Sequence, residues 1–263
     1  MKRMLLIPFL ILSVLIPCGN AKCAAANNLR AKNDCYGWYF KKGENGSQPP
    51  LPSEFYFIKK HRAYYLNEKV KDDDKVIYLT FDAGYENGNI EKILDAMKAH
   101  NAKGAFFVLG NLIRKNPELV KRMVNEGHLV CNHTSSHKDM SKVESKEKFE
   151  KELNELSELM KEYCGSEISP FYRPPEGKFS ELNLIHACEL GYKTIFWSCA
   201  YADWDNACQP SPKAAMTKLM SRLHNGEILL LHPTSDTNAE IMDKLLTDLE
   251  AQGYRFGNLY ELD

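Results

Sequence analysis

The sequence predicts a single α/β domain, a distorted (β/α) barrel with an irregular N-terminal arm, and three observations carry the prediction. Beyond Lys75, short apolar runs alternate with amphipathic stretches of about ten to twenty residues, the order that makes a parallel sheet covered by helices. No GxGxxG motif, and no GxxxxGK followed by Ser or Thr, comes after any expected strand, which removes the usual nucleotide-binding reasons for an open sheet. Chemistry-bearing residues directly follow five of the expected strands, and a parallel barrel gathers such positions at one mouth.

Residues 1–26 read as a secretory signal peptide. Lys2 and Arg3 precede the apolar run from Leu5 to Ile16, and Ala24, Ala25 and Ala26 follow. The run is shorter than the roughly 20 residues that span a bilayer, and Pro8 and Pro17 limit a helix there, so a retained anchor is the lesser alternative. Residues 27–72 form the arm: Gly37-Trp38-Tyr39-Phe40, Asn45-Gly46 and Gln48-Pro49-Pro50-Leu51-Pro52 have turn character and little periodicity. Trp38, Tyr56 and Tyr65 are expected to pack it on the domain that follows, residues 73–263.

Within that domain the apolar runs place strands at 75–81, 104–108, 128–131, 171–172, 193–198, 227–231 and 254–256. Between them the periodicity predicts helices over 90–100, 117–126, 144–163, 180–190, 212–223 and 238–252. Asn116 before Pro117 is a cap followed by a first-turn proline. The stretch 144–163 is charged on most faces, is expected to be the most exposed helix, and receives no function on that ground.

The charge balance demotes nucleic acid as a partner. Lys and Arg number 34 against 35 Asp and Glu, a formal charge of −1, with no basic stretch interleaved with aromatics. Loss of residues 1–26 would remove Lys2, Arg3 and Lys22 and leave −1 − 3 = −4. Eight cysteines (18, 23, 35, 131, 164, 188, 199, 208) form no CxxC pair, and their redox state stays open.

The residues after the strands are Asp82, then Asn132-His133-Thr-Ser-Ser-His137, then Arg173-Pro-Pro-Glu-Gly177, then Asp203-Trp204, then His232-Pro233. Each has a bland reading on its own: Asp82 as a helix cap, two surface histidines, Arg173 as an ion-pair partner, His232 as a satisfied core imidazole. Their coincidence at one rim is what packing does not explain. The other histidines, 61, 100, 128, 186 and 224, fall outside these clusters and are read as structural.

Thr80-Phe81-Asp82-Ala83-Gly84, His133 to His137, Arg173 to Gly177, Asp203-Trp204 and Leu230-Leu231-His232-Pro233 resemble the five ordered motifs of the NodB-type polysaccharide deacetylases, carbohydrate esterase family four. The wording from Tyr78 to Gly88, the Gly37-Trp38 arm, Gly177-Lys-Phe-Ser-Glu181 and Asn238-Ala-Glu240 are similar to the delta-lactam-biosynthetic de-N-acetylases of spore formers. The resemblance implies the distorted barrel, a divalent metal (usually zinc), and hydrolysis of an N-acetyl group on an aminosugar polymer. It implies Asp82 as general base, His133 and His137 as metal ligands, His232 as general acid, Arg173 as orienter of the base and Asp203 as partner of His232. Pro175, Glu176 and Trp204 would meet substrate.

Two positions depart from the family pattern. Ala83 stands where a second, metal-binding aspartate is common, and Glu176 where Tyr or, in the subgroup, Arg is usual. The chemistry asks for the remaining parts independently. An amide is a poor electrophile, so a cation held by imidazoles activates it, a carboxylate takes a proton from water, and a second group of higher pKa protonates the departing amine.

The expected reaction is de-N-acetylation of N-acetylmuramic acid in peptidoglycan, leading to muramic delta-lactam in spore cortex. It would take place outside the cytoplasm, in the forespore intermembrane space, after an N-acetylmuramoyl-L-alanine amidase has removed the peptide. Deacetylation of N-acetylglucosamine in peptidoglycan or chitin oligomers is the alternative within the same chemistry. A glycan-binding protein without activity is the alternative outside it.

Overall fold

The computed structural model describes residues 33–44, 46–71 and 73–262, so the expected signal peptide lies outside the described residues. The arm holds two short strands, β1 (Tyr36–Gly37) and β2 (Ala63–Tyr64), around a 3₁₀ segment, Ser53–His61. The domain then runs β3 (Val76–Ala83), α1 (Asn89–Ala99), β4 (Gly104–Val108), α2 (Gly110–Lys115), α3 (Pro117–Asn125), β5 (Leu129–Asn132) and α4 (Lys146–Leu159). It continues through β6 (Ser169–Tyr172), β7 (Lys178–Phe179), α5 (Glu181–Glu189), β8 (Lys193–Ile195), α6 (Pro212–Met220), β9 (Glu227–Leu231), α7 (Asp236–Ala251) and β10 (Arg255–Phe256). Serines start several helices: Ser145, Ser180, Ser211 and Ser235 each accept from a backbone N–H of the first turn.

All the neighbours in the main sheet are parallel, in the order β2, β8, β6, β5, β4, β3, with β9 also paired to β3 and the short β10 paired to the start of β3. The ring closes only through two isolated bridges to β9, a parallel one from Cys199 to Leu229 beyond the end of β8 and an antiparallel one from Leu66 to Glu227 beyond β2. That is the distortion of the barrel. Alternate residues face inward: Tyr78 on β3, Ala105 and Phe107 on β4, Cys131 on β5, Phe171 on β6 and Ile228 on β9 form the interior cluster. Leu259 and Leu262 of a C-terminal 3₁₀ turn join the same cluster. The opposite strand faces, with Ile77, Leu79, Phe81, Phe106 and Leu229, pack under α1, α3 and α7 in the larger cluster. Each of these fully buried side chains contributes about 1.5–3 kcal/mol on leaving water.

Aromatic stacking fastens the arm. Trp38 lies 4.4 Å from Phe196 and 5.3 Å from Phe55, both stacked, and its Nε1–H donates to the Trp197 carbonyl at 2.9 Å. Gly177, at φ +66°, leaves the space that Trp197 and Trp38 occupy, since a Cβ there would stand 2.9 Å from the Trp197 ring. Trp38 and Tyr65 are buried as expected, whereas Tyr56 is 62% exposed because the 3₁₀ segment turns Phe55 and Ile58 inward instead.

Three expectations need correction. The strand expected over 193–198 ends at Ile195, so Asp203 rides on an irregular loop rather than at a strand end. The helix expected over 144–163 is α4 followed by a π-turn at Met160–Cys164. It is not a solvated rod: Phe149, Glu152, Leu153, Leu156 and Leu159 are buried, one face every third or fourth residue beneath the charges. Helix α2 escapes periodicity because it has only 6 residues.

Candidate active site and metal centre

The inward-facing rows of the barrel end in the polar residues at its mouth. On β3 the series Tyr78, Thr80, Asp82 reaches the rim, on β5 Cys131 is succeeded by His133, on β6 Phe171 by Arg173, and on β9 Leu230 by His232. Asp82, His133, His137, Glu176, Trp204 and His232 all line one groove of about 1020 Å³. That volume is at the upper end for small-molecule sites and suits more than one sugar ring.

Arg173 is wholly buried, and each of its three guanidinium nitrogens donates. It donates to Asp82 Oδ1 at 2.8 Å, Thr80 Oγ1 at 2.9 Å, the Ile195 carbonyl at 3.0 Å and the Phe196 carbonyl at 3.3 Å, and its guanidinium lies 4.2 Å from the Phe107 ring. Thr80 passes the chain on by donating to the Leu229 carbonyl at 2.7 Å. Burial pushes the Asp82 carboxyl up, but Arg173, His133 and His232 together outweigh it and hold the group below the usual carboxylate range.

His133 Nδ1–H donates to the Arg173 carbonyl at 2.9 Å, which fixes the tautomer and leaves Nε2 with its lone pair, 3.6 Å from Asp82 Oδ2. Burial drives the His133 pKa down to about 4, against the pull of Asp82, so the imidazole is neutral at pH 7. The His137 ring stands 5.2 Å from it, nearly perpendicular. A neutral, backbone-oriented imidazole next to a second one is a donor set that fits a divalent cation. Among the described residues no group of three or more His, Cys, Asp or Glu is arranged to hold an ion, so the protein side of such a site is two imidazoles. Ala83 is buried in the outer cluster rather than in the groove.

His232 forms the opposite bank. Its Nδ1–H donates to Asp203 Oδ1 at 2.7 Å and its backbone N–H to Asp203 Oδ2 at 2.8 Å, while Asn238 donates to the same Oδ2 at 2.6 Å. Burial lowers the affinity of His232 for a proton, but the hydrogen bond and charge of Asp203, with Asp82 behind them, overcome this and raise its pKa above the usual value. The exposed Trp204 ring is 6.4 Å from that of His232 and offers an apolar face, 64% exposed, at the groove edge.

Of the three expected substrate contacts, Pro175 is the one that does not line the groove. Pro175 is buried and starts a 3₁₀ turn that throws Glu176 out at φ +55°. Glu176 does line the groove, paired with Lys178 at 2.6 Å. Positive φ recurs at Thr134 and His137, a cost of about 1–3 kcal/mol each that surrounding bonds must offset. Asn132 accepts from the Thr134 N–H, Thr134 Oγ1 accepts from the His137 N–H, and Gly110 donates to the Ser135 carbonyl at 3.2 Å, close enough that a Cβ on it would clash.

Glu152 of α4 completes that loop. It is 4% exposed and accepts from the Ser136 N–H at 2.8 Å, from Ser136 Oγ and from Lys138 at 2.8 Å. Glu152→Gln keeps the size but cannot accept all three donors, so divalent-metal affinity is expected to fall about 10–100-fold with the fold retained. A calorimetric zinc titration giving wild-type affinity would show that the loop holds itself.

Sequence reasoning missed Glu152 because the stretch around it is dense in charge and was expected to be exposed, although Glu152 shares the buried face with Phe149, Leu153 and Leu156. Asn238 was legible only as part of the similarity to the delta-lactam subgroup, and Trp197 only as part of an apolar run.

The chain is 38% identical over 239 residues to a peptidoglycan-N-acetylmuramic acid deacetylase, PdaA, of Bacillus subtilis, with 90% of this chain and 89% of the relative covered. The chain belongs to the polysaccharide deacetylase family. A family description of that name, Polysaccharide deacetylase, matches residues 69–195. The solved structure of B. subtilis PdaA, a family 4 carbohydrate esterase, superposes with TM-score 0.83 over 88% of this chain and 97% of that one. A peptidoglycan-N-acetylglucosamine deacetylase of Bacillus cereus is 30% identical, covering 75% of this chain and 92% of the relative. A family 4 pseudoenzyme of Bacillus anthracis is 27% identical with TM-score 0.67, covering 76% and 68%. Membership makes the protein a hydrolase of amide bonds on the distorted (β/α) barrel of its family, whose members are in general metal-dependent.

Proposed function

We propose that the protein removes the acetyl group from N-acetylmuramic acid in peptidoglycan. The observation that carries this reading is the pairing of Asp82 with Arg173 on one bank and His232 with Asp203 on the other, facing one groove that also holds both imidazoles. The name of the PdaA relative supports the muramic unit over the glucosamine one.

In this reading Asp82, kept ionised by Arg173, accepts a proton from the water that attacks the acetyl carbonyl. His232, kept protonated by Asp203, delivers one to the amine nitrogen as the C–N bond breaks, so water and amide become acetate and free amine. A divalent cation, with zinc the first candidate, held by His133 and His137 would polarise the carbonyl and acidify the attacking water. Trp204 gives the sugar ring an apolar face beside His232.

The freed amine then lies within reach of the lactyl carboxyl of the same sugar, and closing that six-membered lactam draws on effective molarities of about 10⁵–10⁸ M. Closure needs the lactyl carboxyl freed of peptide, so an N-acetylmuramoyl-L-alanine amidase acts first. The proposed place is the forespore intermembrane space, reached through the leader at residues 1–26.

The test is acetate release and muropeptide mass from amidase-treated peptidoglycan, with and without a chelator. Release from muramic units that stops on chelation and returns with zinc is the expected result. Release from glucosamine units alone moves the substrate to the other sugar. No release, with retained glycan binding, makes the chain a relative of the pseudoenzyme.

A further inference from the structure

The groove that holds Asp82, His133, His137 and His232 is also lined by Lys42, Lys218 and Arg222. Arg222 is held in place: its guanidinium donates to the Ala200 carbonyl at 2.5 Å and lies 6.0 Å from the Phe40 ring. Lys218 stands four residues earlier, in the last turn of α6, with Arg222 in the turn that follows the helix, and Lys42 comes two residues after Phe40 on the arm. None of the three makes an ion pair with a carboxylate among the described residues.

Like charges brought together in a concavity repel, and the low-dielectric walls concentrate their field. Lys42 and Lys218 are exposed and Arg222 is half-buried, so the three offer positive charge, without a carboxylate partner among the described residues, to an anion that enters the groove. The two carboxylates that line the groove have other partners: Asp82 takes Arg173, and Glu176, near His137, takes Lys178.

We propose that Lys42, Lys218 and Arg222 form a carboxylate subsite that takes an anionic unit of the same glycan strand, beyond the one being deacetylated. It rests on the peptidoglycan reading above. The carboxylate comes either from the lactyl group of a neighbouring muramoyl unit or from a peptide still attached to it. The protein thereby reads the strand at two places, chemistry at one and charge at the other. The arm is part of the binding surface, not only a covering, because it supplies Lys42.

The experiment compares wild-type protein with K42Q/K218Q/R222Q, and with K42Q/K218Q in case loss of the Arg222 bond to Ala200 disturbs the fold. Substrates are peptide-free muramoyl oligomers, the same oligomers with lactyl carboxyls amidated, oligomers that keep their peptides, and neutral N-acetylglucosamine oligomers. KM on the carboxylate-bearing oligomers is expected to rise about 10-fold or more with kcat unchanged, since charge-assisted bonds are lost from binding alone. KM on the amidated and neutral oligomers should not move, and the wild-type preference should fade with salt. An effect confined to peptide-bearing oligomers assigns the carboxylate to the peptide, and one on peptide-free oligomers to the lactyl group. An equal rise on neutral oligomers, or no rise on any, overturns the subsite. Calorimetry of the same oligomers on the Asp82→Asn protein reads binding without turnover, so failure of the subsite is separable from failure of the deacetylation reading.

Discussion

Asp82→Asn is expected to cut kcat by about 10²–10⁴ with the fold intact, because the amide keeps the size and one acceptor oxygen but cannot take a proton from water. His232→Ala is expected to do the same from the other bank, leaving the amine to depart unprotonated. What separates the two is pH. Asp82 has a pKa held below the usual carboxylate range, so it sets the acid limb, and His232 has a raised pKa and sets the alkaline limb. Asp203→Asn removes the charge that favours imidazolium, so the His232 pKa falls and the alkaline limb moves to lower pH. A pH–rate profile of Asp203→Asn with its alkaline limb unmoved would show that His232 is not the proton donor.

Arg173→Met is expected to cost about 3–5 kcal/mol of stability, because it leaves the Asp82 carboxylate buried without its main partner and strips four oxygens of their donor. Without the guanidinium, burial dominates at Asp82 and its pKa rises. The sign for stability follows. A carboxyl with a lowered folded pKa stabilises the protein above its unfolded value and loses that contribution as pH falls through the folded one. In Arg173→Met the contribution is gone, and what activity survives has its acid limb at higher pH. Urea unfolding at two pH values measures the first effect and the pH–rate profile the second; a variant as stable as wild type, with an unmoved acid limb, would remove Arg173 from its place beneath the base.

Much of the site was legible because a barrel converts order along the chain into proximity. His133, Arg173 and His232 are the residues directly after β5, β6 and β9, and Asp82 the last inward residue of β3, so alternation alone aims them at the mouth. Asp203 was placed at a strand end by the sequence, whereas a loop of irregular backbone carries it, and its motif singles it out independently of that position. Glu152 and Lys218 were invisible for one reason: on an amphipathic helix a charge that reaches a loop or a groove has the same spacing as one that reaches water. The arm was legible as aromatic and irregular, but the stacking of Trp38 on Phe196 joins residues 158 positions apart, which no local pattern encodes.

The two isolated bridges to β9, from Cys199 to Leu229 and from Leu66 to Glu227, give the barrel a mechanical seam. Elsewhere around the ring, neighbouring strands are laced by ladders, as in the five paired positions of β3 with β9. Motions of low free energy gather where few backbone bonds must break, and here that is the line between the loop after β8 and β9. Asp203 belongs to one side of that line, His232 and Asn238 to the other, and three hydrogen bonds join them across it. Asp203 is thus a rivet as well as an electrostatic partner. It clamps the two lips of an unlaced joint at the place where the substrate's nitrogen must be met, and the joint opens no wider there than those bonds allow.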